Sequence, residues 1–223
     1  MSILTETQAL LAKDVKLEWR NKNTLFSLLL FSGGTVFIAY LSFYLKTKLI
    51  NSITWNALLW ILLLFNAIHG MAKSFAQESA NRNIYYYYLV RPQSIYLSKF
   101  LYNSGLMLVL SMLSYVFLAM VFEVDIQNRL YFFITLISGA IAFSGTLTLV
   151  SAIASKAGNN STLMAVLSIP VIIPLLIILI RISNNAIDGI NPALMGKDLY
   201  LLVAINLIII TISYLLFPYL WKS

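Results

Sequence analysis

An all-α membrane protein, with six spanning helices preceded by an amphipathic interfacial helix, is the fold this sequence predicts. Three observations predict it. Of 223 residues, 60% are hydrophobic and 10% charged, where soluble domains hold about 45–50% and about 25%. Six apolar runs, at about 25–45, 54–72, 101–122, 130–154, 162–182 and 199–220, reach the roughly 20 residues that cross a bilayer as a helix. The runs are continuous rather than alternating, which excludes a closed barrel, the other structure that satisfies its own backbone in hydrocarbon. No repeat, low-complexity linker or soluble domain interrupts the pattern, so residues 1–223 form a single transmembrane domain.

Residues 5–22 precede the first span. Thr5 and Gln8 fit a capping box at the start of a helix. Leu11, Val15 and Trp19 recur every four residues, and Lys13, Lys16 and Arg20 fall on another side. The expected helix lies on membrane lipid, apolar stripe inward and basic face toward anionic headgroups. A cleavable signal is not expected, because 24 largely polar residues come before the first apolar run.

The second span ends near Ala72, and the polar segment 73–99 follows. Its 27 residues, KSFAQESANRNIYYYYLVRPQSIYLSK, hold four basic residues, one acid, four consecutive tyrosines and a proline. That exceeds what a turn between two helices needs and suffices for a short helix outside the bilayer. Phe75 to Leu89 fits such a helix, with Glu78 and Arg82 at i,i+4 in the favourable order. Tyr85 and Tyr88 stand in the aromatic run at its end, and an apolar ring with a polar tip suits a protein or membrane interface. Arg91 and Pro92 follow, the proline ending one helix and opening the next at its first turn. Lys99 and Tyr102 mark the entry into span three.

Span four is rich in small residues, with Ser138, Ala142 and Thr146 on one face. Small faces let helices approach closely, and packing within the chain is the expected use. Span five holds Pro170 and Pro174, which lack N–H donors and free the carbonyls of Val166 and Pro170. A bent helix is expected. Asp188-Gly189 and Asn191-Pro192 mark a turn before the last span.

The net charge of +7 reads as topology rather than nucleic-acid affinity. With both termini in the cytoplasm, the cytoplasmic side holds ten Lys and Arg and the other side five, as the positive-inside rule requires. The absence of cysteine excludes disulfides and thiolate metal sites. No G-x-x-x-x-G-K-[ST] loop is present, so ATP hydrolysis by that route is excluded. Ionisable residues are nearly absent from the spans, which argues against an ion-driven carrier and, with no nucleophile–base set, against an enzyme. Arg181 sits at a span end, where it can snorkel. His69, the lone histidine, is a weak candidate haem-iron ligand; without a positioned partner, a helix-end histidine bonded to backbone or water is the favoured reading. Energy, if any is used, therefore has to come from another chain, and residues 73–99 are where it would dock.

Three stretches together resemble the CcmB family, the membrane subunit of the ABC-type haem exporter of cytochrome c maturation. They are Leu11–Lys22 (LAKDVKLEWRNK), Glu78–Lys99 with Leu89, Pro92, Tyr96, Leu97 and Lys99, and Ser168–Ile178 (SIPVIIPLLII) with its doubled proline. The tyrosine run departs from the mixed aliphatic residues of that family. The resemblance implies an ABC-2-type permease architecture in a bacterial inner membrane, paired with a separate ATP-binding cassette ATPase that uses the ATP. Other cytochrome c maturation membrane proteins and a haem chaperone would be its further partners, with haem a substrate of the complex. Glu78, Arg82, Tyr85, Tyr88, Arg91 and Pro92 would couple the ATPase to the spans. Two alternatives stay open on the residues: an ABC-2-type exporter of a lipid, polysaccharide or drug, and a membrane scaffold without a transport cycle.

Overall fold

The computed structural model describes residues 3–20, 23–44, 50–72, 90–157, 161–190 and 192–222. These form seven helices: α1 (Ile3–Arg20), α2 (Asn23–Tyr44), α3 (Ser52–Ala72), α4 (Pro92–Val121), α5 (Arg129–Lys156), α6 (Ser161–Ile187) and α7 (Pro192–Lys222). The last six are long and apolar enough to cross a membrane. The all-α, six-span expectation holds, and no strand occurs among the described residues.

The largest departure is at α4, which starts at Pro92 rather than near 101. Thirty residues at 1.5 Å each make a helix of about 45 Å, against a hydrocarbon core of about 30 Å. Its first three turns therefore project beyond the span. They hold Ser94, Ser98 and Lys99, residues too polar for the hydropathy pattern to count. Pro92 takes the first helical turn, where its missing N–H has no partner to lose. Arg91 before it is extended (φ −69°, ψ 138°), as a residue preceding proline is driven to be.

Helix α5 is the axis of the bundle: 67% of its spanning window is buried, against 17% for α2. Its small face packs inside the chain, with Ala142 and Thr146 buried and the Ser138 carbonyl accepting from Asn206 Nδ2 of α7 at 3.4 Å. Gly139 lets α3 come closest. A Cβ there would lie 2.7 Å from the Trp60 ring, and Trp60 Nε1 in turn donates to Ser183 Oγ of α6 at 2.8 Å. Asn56 Nδ2 donates to Asn184 Oδ1 at 2.7 Å and to the Ile180 carbonyl at 3.1 Å. Asn103 Nδ2 donates to Thr148 Oγ1 at 2.8 Å. Asparagine and small hydroxyl residues thus join neighbouring spans where water is not available to compete.

Each end of the bundle has its own aromatic cluster. Trp55, Tyr115, Phe132 and Phe133 meet at one end. There, Gln127 and Asn128 donate backbone N–H bonds to the Ile187 and Ala186 carbonyls, and Gly189 takes the positive φ of 72° that the expected turn requires. At the other end Leu10, Ile95, Tyr96, Ala152, Phe217 and Trp221 bring together α1, the start of α4 and the ends of α5 and α7. Both ends of the described chain therefore lie on one side of the bundle.

Replacing Gly139 with Ala is expected to cost about 1–3 kcal/mol through overpacking, read as a lower thermal unfolding midpoint in detergent. Trp60→Phe clears part of that clash, so the double variant should lose less than the two single losses combined. Strictly additive losses would show that the contact is not what sets the α3–α5 distance.

Candidate functional site

Helix α1 has three faces, not the two expected. Val15 and Trp19 are exposed, as a lipid-facing stripe requires, and Lys16 and Arg20 are exposed on the basic face. The third face carries Glu6, Thr7, Leu10, Asp14 and Glu18, and there Thr7, Leu10 and Asp14 are buried. It packs along the projecting turns of α4, the two helices running in the same direction. The helix also begins two residues earlier than the expected capping box, at Ile3. Thr5 is therefore inside it, and Thr7 Oγ1 donates back to the Ile3 carbonyl at 2.8 Å.

Three acids form the rungs of this contact. Glu6 Oε2 accepts from Ser94 Oγ at 2.8 Å and from the Arg91 backbone N–H at 3.3 Å. The Arg91 side chain makes no cap of its own, so α1 supplies to α4 a carboxylate at the positive end of its dipole. One turn and more along, Asp14 Oδ2 lies 3.1 Å from Lys99 Nζ, with both side chains 8% exposed. Asp14 Oδ1 also meets Lys13 at 3.3 Å. Tyr102, further along α4, faces Glu18 and completes the series. The Ser94 hydroxyl holds the Glu6 carboxyl below its ordinary pKa of 4.5 against the opposing pull of desolvation, with smaller help from the Arg91 N–H and charge.

Of the residues expected to couple to an ATPase, the structure places Arg91 and Pro92 at this junction, at the start of α4. Glu78, Arg82, Tyr85 and Tyr88 lie outside the described residues, as does the whole of the helix expected over Phe75–Leu89. Lys99 does not merely mark a span entry; it is half of a buried ion pair. Glu6, Asp14 and Glu18 were missed. Their signal is present as acids spaced by eight and four, with Leu10 between the first two, but the basic residues make the opposite face the more conspicuous one.

The doubled proline lies inside a continuous α6. Pro170 and Pro174 are both exposed, while Ile172 and Leu175 on the other side are buried. The rings thus sit on the outer face, away from α5. His69 is exposed near the end of α3, and its Nε2 lies 3.2 Å from Ser27 Oγ of α2. Arg181 reaches the Asp198 carboxylate at the far end of the bundle, and Lys156 donates to the Trp221 carbonyl at 3.2 Å while lying over its ring.

A family model described as the CcmB protein matches residues 5–219. No curated protein and no solved structure matches the chain.

Asp14→Asn removes a carboxylate from a buried ion pair with Lys99 and is expected to cost up to about 3–5 kcal/mol, measured by thermal unfolding and by faster proteolysis within α1. The pair Asp14→Leu with Lys99→Met should recover most of it; a double variant as unstable as the single one would argue that the charges themselves are required. Glu6 gives a separate pH signature. Because its folded pKa is lowered, its contribution is complete above 4.5 and fades as pH falls through the lowered value. Protection of α1 should therefore weaken below that pH, and Glu6→Gln should flatten the dependence.

Proposed function

The chain belongs to the CcmB family, and from that premise we propose that it is the permease subunit of an ABC-type complex in cytochrome c-type biogenesis, driven by ATP hydrolysis in a separate chain. Membership makes it a membrane component of the haem exporter of cytochrome c maturation. The finer reading concerns how such a subunit is worked. The observation that carries it is the grip of Glu6 and Asp14 on the first turns of α4, where the 73–91 segment re-enters the bundle.

In this reading the ATPase docks on residues 73–91 at the cytoplasmic surface, with Glu78, Arg82, Tyr85 and Tyr88 as contact residues and Arg91 and Pro92 as the joint. Both termini then lie in the cytoplasm, on the side where α1 and the end of α7 meet. A displacement at Arg91 passes directly into α4, because proline fixes φ and the helix begins at that residue. It passes equally into α1, which is bonded to Arg91, Ser94 and Lys99. Haem is a substrate of the complex in this account, handed on with other maturation proteins and a haem chaperone. The chain's part is mechanical, in keeping with spans almost free of ionisable groups.

Co-purification tests this. The unaltered chain is expected to carry its ATPase through purification in mild detergent, and replacing Arg82 and Arg91 together by Ala should release most of it while helical content stays unchanged. If the ATPase never accompanies the unaltered chain, the coupling reading fails.

A further inference from the structure

A groove of about 480 Å³ lies between α2 and α3, lined by Ser27, Phe31, Phe65, Ile68, His69 and Ala72. That volume is within the usual range for ligand sites, about 300–1,000 Å³. The groove is chemically divided. Its polar residues, Ser27 and His69, are both exposed and stand at one end, where α2 begins and α3 finishes. Its apolar wall runs deeper into the span, where Phe31 and Phe65 meet edge to face at 6.5 Å. These rings remain 43% and 51% exposed, so the contact between them does not fill the groove.

Depth decides what such a groove takes. His69 is within one turn of the end of a spanning helix and Ser27 is the second residue of a spanning window, which sets both at the level of lipid headgroups. Imidazole and hydroxyl donors at that level face phosphates, and aromatic surface one to two turns deeper faces acyl chains. Charge selects among lipids. The exposed basic residues Lys16 and Arg20 of α1 stand on the same side of the bundle, immediately before α2 in the chain, and basic residues near the surface attract anionic lipid. The second groove along α2 is larger, about 600 Å³, but its lining of Gly33, Val36, Phe37, Tyr40, Phe117, Met120 and Val121 offers no cation.

We propose that the α2–α3 groove binds one anionic phospholipid, its phosphate on His69 and Ser27 and an acyl chain along Phe31 and Phe65. Headgroup and chain are both needed: the phosphate anchors the head, Lys16 and Arg20 favour a lipid of net negative charge, and the aromatic wall supplies residence. The lipid also fills the gap beside α2, the least buried spanning helix together with α7.

Native mass spectrometry of the full chain released from vesicles tests this, with phosphatidylglycerol and phosphatidylcholine as probes at equal content. The unaltered chain should retain phosphatidylglycerol over phosphatidylcholine by about tenfold, the scale of one or two basic residues near an anionic headgroup. His69→Leu should lower retention of both lipids, and His69→Gln, which keeps an N–H donor, should restore part of it, while Lys16→Gln with Arg20→Gln should abolish the preference. Phe65→Ala should lower retention of both lipids. Equal retention by the unaltered chain, or undiminished phosphatidylglycerol retention in a His69→Leu variant of normal helical content, would overturn the proposal. So would displacement of the lipid by an excess of inorganic phosphate, which would identify a site for the free anion instead.

Discussion

Helices in lipid have no hydrophobic reason to touch one another, since hydrocarbon tails are as apolar as leucine. Close approach and hydrogen bonds must hold the bundle together instead. This constraint explains why α5 is its axis. The small residues of that helix bring Trp60 onto Gly139 and Phe143, and let Thr148 and Ser144 reach Asn103 and Ser104 of α4. Ser151 Oγ extends the series by donating to the Met71 carbonyl of α3 at 3.0 Å. Leucine at these positions would fill the space with more apolar surface but remove both the approach and the bonds. Helix α2, poor in such contacts, is joined to α3 by Ser32 with Asn66 at 2.8 Å and by Ser27 with His69, and it remains the periphery with grooves on both sides.

Where the chain leaves hydrocarbon, different physics takes over. The projecting turns of α4 meet α1 through charges rather than small residues. Three of the eight acids in the sequence, Glu6, Asp14 and Glu18, are used there. An ion pair at 8% exposure is costly to bury and costlier to break from one side. Its use at this position, beside Leu10 and the Tyr96–Phe217–Trp221 cluster, fixes the register of α1 on α4 in a way that apolar contact alone does not.

Much of this was legible in the sequence because hydropathy reports directly on the need to be in lipid. The six spans appear within a few residues of their expected places except at α4. That helix was misplaced at its start because Ser94, Ser98 and Lys99 make its first turns polar, and a hydropathy window cannot distinguish a loop from a helix extending past the membrane. The small face of span four was read correctly as packing inside the chain, since Ser138, Ala142 and Thr146 stand one turn apart. The acidic face of α1 was not read, because pairing with Lys99 depends on two segments separated by 85 residues, as is the spacing of Asp14 and Lys99 in the numbering. The two stretches that carried the family resemblance most broadly, Leu11–Lys22 and Glu78–Lys99, proved to be partners in space through that one contact.

The contrast between the two kinds of attachment decides how a force applied at Arg91 would divide. Breaking the Asp14–Lys99 pair from one side costs about 3–5 kcal/mol, well beyond thermal energy. The Glu6 bonds to Arg91 and Ser94 act in parallel with it, so α1 and the first turns of α4 move as one body. Helix α7 joins them through Phe217 and Trp221. The hydrogen bonds that hold α2 are of the kind worth about 0.6 kcal/mol each between membrane helices, and α2 is free to lag. A push from the 73–91 segment would therefore rotate α1, α4 and the end of α7 together against α2. The seam that yields is the one bordered by the grooves, and a lipid seated between α2 and α3 would be in position to sense or resist that movement.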